Sequence, residues 1–492
     1  MVKAVVGEET QLKLAEDRLS QSRLPAQVGL VIGKLSSSLD RGFVFDLVPT
    51  PPNDAGEAAC SLVENVRDDK KKASKGKSQA DSSSLVIDND WVAEHARQVS
   101  RMLLGGMKVV GIYIWVNDSS FKNSTIVLCQ TVKGVAEAAP LSETDWDERL
   151  LIHICYSPRR WTCRNCIVTS NITSSSLRPC DFKMGRVLNS LQTFRCMYNF
   201  DLRFPICLES SSNVRTLANI LRYGISMHAK ELKGARAMID GNLVVEDEPS
   251  TSDGLHEVEL LLPFMKDTFA EACSQKEIVG VIIFSGSVCS FAYLNSKEPI
   301  SQALADIKGD IITSLQSRLD IICDETFEDM GPTVDGGSDA SDEIATGKSV
   351  PQLALHLLRE QCSLSFPRRV FVPWLMGTFI CDYLQASETL EVLKDHIVEL
   401  MSMEAPTDAT TILEPEIEAP TVATKSFWDV ANLCPAASSS DNPPLKKGDI
   451  DATRKESERK SIKSVDFSIV TAAFFLILSI LVGMALLVFR AS

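Results

Sequence analysis

Surplus positive charge is the first thing this 492-residue sequence lacks. Fifty Lys and Arg stand against 65 Asp and Glu, leaving a net charge of −15. Non-specific nucleic-acid binding needs a cationic surface that displaces phosphate counterions, so no nucleic-acid partner is expected. Histidine is scarce as well, and six residues leave little material for a His-built metal enzyme. The opening stretch MVKAVVGEETQLKLAEDRLSQ has neither the ~7–15-residue apolar core nor the small-residue cleavage site of a secretory leader. Fourteen Cys, scattered from Cys60 to Cys434, are therefore expected as free thiols of a reducing compartment, mostly small core residues. The sequons at Asn117, Asn123 and Asn171 are read as accidental on the same ground. Wholesale disorder is excluded by 45% hydrophobic and 23% charged content.

Catalytic motifs are also missing. GLVIGK (29–34) has three residues where a phosphate loop needs four, and Leu35 stands where a hydroxyl would hold magnesium. FSGSV (284–288) lacks the flanking glycines of a nucleophile elbow. Cys163-Arg-Asn-Cys166 is a lone CxxC with no second pair nearby, and a structural zinc needs four ligands. A strand holding the two Cys on different faces is the expectation. His153 and Cys155 sit two apart, so they share a face, but neither an orienting group nor a cleft is visible in sequence for a Cys–His dyad. The acidic run 324–349 lacks the ligand spacing of a calcium loop.

What is present is a long apolar run. It opens at Phe467, closes at Phe489 and holds 23 residues without a charge. As a helix it is roughly 34 Å long, enough to cross a ~30 Å hydrocarbon core. Arg454, Lys455, Arg459, Lys460 and Lys463 precede it and only Arg490 follows, which predicts a single-pass, tail-anchored chain with its bulk in the cytosol and a lipid bilayer as partner.

The remainder reads as mixed α/β (α+β). Strands are expected at 28–32, 43–48, 109–116, 150–155, 161–169, 196–205, 258–262 and 279–284. Helices are expected from about Trp91, capped by Asp88 or Asp90 and stopped at Gly105-Gly106, and over 213–233 and 300–320. The expected organisation is a cytosolic domain over 1–323 with a disordered loop at 64–84, an acidic disordered insertion at 324–349, a helix and strand extension at 350–403, a flexible linker at 404–463 and the membrane helix. EDEPSTSDG (246–254) reads as a surface turn.

QVGLVIGKL (27–35) followed by VVGIYIWV (109–116) resembles the skeleton of an MPN domain, the fold of the JAMM metalloproteases that remove ubiquitin. The resemblance implies an MPN-like mixed sheet with flanking helices. It places the family's glutamate at Ala26, its two zinc-binding histidines at Ile114 and Val116, its serine at Ser124 and its aspartate at Val127. Methyl groups cannot coordinate zinc, so the expectation is a metal-free, catalytically inactive domain with no cofactor.

WVAEHARQVSRMLLGGMKVVGIYI (91–114), LLIHICYS (150–157) and PRRVFVPW (367–374) resemble the Odr-four homologue family, which also shares a C-terminal membrane helix. The resemblance implies residence at the endoplasmic reticulum, delivery of chemosensory receptors as cargo, and an MPN-type partner, the ubiquitin-fold-modifier-specific protease. Within PRRVFVPW, Arg368 and Arg369 are fork donors for carboxylates, and Phe371 and Trp374 are interface anchors. They are candidate partner-binding residues, against the alternative that this strand covers the protein's own sheet. The reading is therefore a membrane adaptor and not an enzyme, with a thiol-dependent hydrolase or a purely structural tether as the alternatives.

Overall fold

The computed structural model describes residues 2–36, 39–64, 83–141, 148–168, 176–207, 217–244, 254–263, 278–328, 363–416 and 418–426. Two units are delimited, Met1–Cys434 and Pro435–Ser492, and the second lies outside the described residues. The expectations for 329–349, for the linker beyond 426, for the turn at 246–253 and for the membrane helix at 467–489 likewise lie outside them. Among the described residues no helix is long and apolar enough to cross a membrane.

The architecture is mixed α/β and rich in sheet. Strand β1 (Ala4–Glu8) leads into helix α1 (Glu9–Ser22), and then come β2 (Gln27–Ser36) and β3 (Arg41–Pro49). A hairpin of β4 (Cys60–Glu64) and β5 (Ser83–Ile87) precedes α2 (Asn89–Met102) and β6 (Lys108–Trp115). After α3 (Asp118–Asn123) and α4 (Thr125–Ala138) run β7 (Glu148–Tyr156), β8 (Arg159–Ile167) and β9 (Leu177–Gly185). These strands close a barrel in the order β1-β3-β2-β6-β7-β8-β9, with β1 parallel to both β3 and β9, and β6 parallel to β7.

Both faces of β2 and β6 are buried, which is why their sequences run apolar without alternation. Val31, Val110, Tyr113 and Trp115 fill the barrel with Leu12, Ala15 and Leu19 of α1. Val28, Leu30, Ile112 and Ile114 face outward under α2 and α4. Gly111 lies where β6 shifts register against β2, and a Cβ there would stand 1.9 Å from the Leu150 carbonyl oxygen, so no larger residue fits.

A second sheet follows. It is built from β10 (Leu191–Cys207), β11 (Arg236–Ile239), β12 (Asn242–Leu243), β13 (Leu255–Leu261), β14 (Ile278–Asn295) and β15 (Ser363–Ser365), with α5 (Leu217–Lys233) and α6 (Ile300–Glu328) packed on it. A hairpin of β16 (Arg368–Pro373) and β17 (Phe379–Leu384), helix α7 (Leu390–Met401) and β18 (Thr421–Ser426) complete the chain; β18 joins the second sheet between β14 and β15. Phe45, Met107, Phe291, Tyr293, Phe371 and Tyr383 form the apolar seam between barrel, second sheet and hairpin.

Helix α2 begins as the sequence predicts, with the Asp88 carboxylate accepting from the Trp91 N–H at 3.0 Å. The helix ends before the stop expected at Gly105-Gly106: its last residue is Met102 and Leu103 is already extended, so the two glycines, with φ of +66° and +81°, shape the turn that leads into β6. The Gly105 carbonyl accepts from Tyr293 N–H at 3.1 Å and so ties the barrel to β14.

Three further expectations need correction. The loop at 64–84 is the connection of a hairpin, with Ser83 and Ser84 already paired in β5. The helix expected to end near 320 continues to Glu328, into the segment read as an insertion. The 404–463 linker is wrong over its first part. Ile412, Glu416 and Val422 are buried, and β18 pairs antiparallel with β14. That strand is stabilised by distant contacts and shows no local period.

The contacts that hold this segment are charged. The Arg369 guanidinium donates two bonds of 2.8 Å to Asp310, and its backbone N–H donates to Glu416 at 2.9 Å. Arg318 grips both oxygens of Glu416 at 2.8 and 2.6 Å. Arg318, Arg369 and Glu416 are all at most 1% exposed. Lys34 is likewise buried beside Asp306 (2.8 Å) and Glu298 (3.3 Å). Burial opposes its charge, yet the two carboxylates raise its pKa above that of an ordinary lysine.

Removing one partner of a buried pair leaves a charge uncompensated. Asp310→Asn is expected to cost ~3–5 kcal/mol in urea unfolding, with Arg369→Met in the same chain recovering part of the loss. Burial pushes the Asp46 carboxyl up from 3.8 to about 6. A raised carboxyl pKa means that its contribution is full below the unfolded value and is lost as pH rises through about 6. Asp46→Asn should therefore flatten the stability profile between about pH 4 and 7 and add roughly 1–2 kcal/mol at neutral pH, read by thermal unfolding.

Candidate functional site

The MPN-type ligand positions carry packing in this fold. Ala26, Ile114 and Val116 are at most 4% exposed and belong to one apolar cluster, and Val127 of α4 packs against it. Ser124, the remaining position, is buried and its hydroxyl accepts from Leu85 N–H at 2.7 Å. The place is a sealed piece of core between the barrel wall and α4.

PRRVFVPW is a structural strand, and the partner-facing reading of Arg369 and Phe371 needs correction. Arg369 points inward onto Asp310, and Phe371 is fully buried edge-on to Phe291 at 5.2 Å. Arg368 is partly exposed and pairs with Glu414, and Trp374 is half-buried at the edge of two apolar clusters. The alternative, a strand that covers the protein's own sheet, is what Arg369 and Phe371 build.

The CxxC also serves packing. Cys163 faces the barrel interior and Cys166 the outer cluster, as alternation on one strand predicts. Cys163 shares a hydrogen bond with Cys180, its neighbour across β9, and Cys166 with Cys129 of α4. Each shared bond pushes the CxxC thiol, Cys163 or Cys166, up and its partner, Cys180 or Cys129, down.

His153 and Cys155 acquire the two features that the sequence hides. Asp118, at the start of α3, brings its carboxylate to 3.9 Å from His153 Nδ1. Beside it opens a cleft of about 580 Å³ lined by Asn117, Asp118, Lys122, Tyr156 and Ser157 among others. His153 Nε2 is 2.9 Å from the Val116 carbonyl oxygen, and the ring stacks on Phe121 at 4.0 Å. Burial lowers the His153 pKa, so the ring is neutral at physiological pH. Cys155 Sγ–H donates to the Ser157 carbonyl at 3.4 Å.

This is not a nucleophile relay. A relay puts the acid and the nucleophile on opposite imidazole nitrogens. Here Nε2 is committed to a backbone carbonyl and the acid stands nearest Nδ1. Asp118 was missed because its meaning is topological: β6 and β7 are parallel neighbours, so the residues just after β6 lie beside the end of β7. The parallel order of the two strands is the signal that would have found it.

The family model described as "ODR4-like: Odorant response abnormal 4-like" matches residues 29–412. The chain is 26% identical over 411 residues to "Protein odr-4 homolog" of Xenopus tropicalis, covering 79% of this chain and 81% of that one. Its human namesake is 27% identical over 396 residues (76% and 77%), and that of Dictyostelium discoideum 25% over 411 (82% and 81%). Among solved structures, "Crystal structure of UfSP from C.elegans" aligns with a TM-score of 0.38 at 7% identity, over 82% of this chain and 57% of that one. A likeness so loose fixes no common fold.

Ile114→His tests whether the ligand positions are sealed. It is expected to destabilise by ~2–4 kcal/mol, through lost packing and a buried unpaired imidazole, and to add no zinc by elemental analysis over the parent protein.

Proposed function

This chain belongs to the ODR4-like family, and from that premise we propose that it is a membrane-anchored adaptor of the endoplasmic reticulum. Its folded part faces the cytosol, assists the trafficking of membrane receptors and recruits a ubiquitin-fold-modifier-specific protease. The family match over residues 29–412 carries the reading. The uncharged run 467–489 supplies the anchor, since a lipid interior accepts a helix of about 20 predominantly apolar residues. The basic residues before it favour a cytosolic bulk.

The apolar filling at Ala26, Ile114, Val116 and Val127 supports binding over catalysis, because no donor is left there to activate a water. Cys163 and Cys166 are buried on opposite faces of one strand, which speaks the same way against a thiol hydrolase built on that pair.

Fractionation of cells expressing the full chain or a form lacking 467–489 tests the proposal. The full chain is expected in the carbonate-resistant membrane pellet together with the protease and receptor cargo. The shortened form is expected in the soluble fraction, without cargo. A shortened form that keeps both its membrane address and its companions overturns the reading.

A further inference from the structure

We propose that Asp118, His153 and Cys155 form a binding site for a zinc-type divalent cation, with an open coordination position facing the adjoining cleft. One donor atom from each residue lies within 4.8 Å of the other two. A zinc held at ~2.0–2.2 Å from nitrogen and oxygen and ~2.3 Å from sulfur needs its donors roughly 3.2–3.7 Å apart, so a small contraction closes the site.

The hydrogen bonding fixes which nitrogen is the donor. A carbonyl oxygen only accepts, so the Val116 carbonyl holds the proton on His153 Nε2 and leaves the lone pair on Nδ1. Nδ1 then faces Asp118 Oδ1 at 3.9 Å with no hydrogen on either atom. Asp118 Oδ1 accepts from Arg160 at 2.8 Å and keeps a further lone pair, so a cation placed between it and Nδ1 meets a donor from each side. Anchoring of the far ring nitrogen by a backbone carbonyl is also how metal-bound histidines are held, and the Phe121 stack fixes the ring plane.

The charges close. Cation binding displaces the Cys155 thiol proton to solvent, breaking the Sγ–H bond now given to Ser157, and one proton leaves for each metal bound. Thiolate and carboxylate together cancel the two charges of the metal. Arg160 donates to both Asp118 oxygens, at 2.8 and 2.6 Å. A carboxylate has about four lone-pair positions, so Arg160 stays as its outer partner. Arg164, whose guanidinium stands 5.0 Å from the Phe121 ring centre, and Lys122 in the cleft are the other cations facing the site. They oppose a metal, so the site would bind it less tightly than the same three ligands would without these cations. One sulfur, one nitrogen and one oxygen donor suit zinc and not magnesium or calcium, which require oxygen shells.

Cobalt titration of the full-length protein in detergent micelles tests the site. The expected result is saturation at one equivalent, with a thiolate-to-cobalt charge-transfer band, the visible bands of four-coordinate cobalt, and release of one proton. Cys155→Ser should abolish the charge-transfer band. Asp118→Asn changes a residue one third exposed, so the fold tolerates it if the buried serine variant does not fold. It should weaken cobalt binding beyond the ~10–100-fold typical of losing an outer-sphere partner. The proposal is overturned by absence of saturable binding, by a charge-transfer band that survives in Cys155→Ser, or by unchanged affinity in Asp118→Asn.

Discussion

Two arginines and two carboxylates, sealed from water between the sheets, decide where the last third of the described chain goes. Arg318, Arg369, Asp310 and Glu416 come from α6, β16 and the segment before β18, and their charges sum to zero. None of them has solvent to fall back on, so an arrangement that separates one pair strands a charge at a cost of several kcal/mol. Net stability is not what such pairs mainly provide, since well-packed apolar residues often serve as well. What they provide here is register. The planar guanidinium of Arg369 meets Asp310 in a two-bond fork, and Glu416 is shared by Arg318, the Arg369 N–H and the Cys289 N–H. A one-residue slip of β16 would point Arg369 to the other face of the hairpin and break the whole set.

That constraint explains what local pattern could and could not reveal. Helix α2 was legible because its cap and its apolar spacing are both local. The doubly buried strands β6 and β7 were legible as short apolar runs bounded by polar residues. Strand β14 was cut short in the sequence reading because Ser285, Gly286 and Ser287 interrupt its apolar run, although its pairing with β10 continues through them. The order of strands in the barrel was not legible, since β1 joins β3 and β9 through contacts far apart in the chain.

The same limit governs the candidate residues. Arg368 and Arg369 look alike in sequence, two neighbouring cations on a strand, but alternation sends them to opposite faces. One reaches Glu414 at the surface; the other reaches Asp310, which lies 59 residues earlier. Nothing within the PRRVFVPW window distinguishes the two. Lys34, read only as the end of a failed phosphate loop, proves to be a buried link from β2 to α6 for the same reason.

Parallel pairing of β6 and β7 sets the chemistry of the barrel's outer face. Ile114 on β6 stands directly opposite His153 on β7. At that level β6 offers a branched alkyl group, enclosed by α2 and α4, while β7 offers an imidazole beside an open cleft. The difference follows from what covers each strand. Over β6 the helices exclude water, and a polar side chain would be buried without a partner. Just past the end of β6, beside the end of β7, the chain turns away at Asn117, whose side chain caps α3 and so brings Asp118 within reach of the ring. One wall of one barrel therefore carries an apolar core and a polar cluster a single strand apart, the first enclosed by helices and the second beside a cleft.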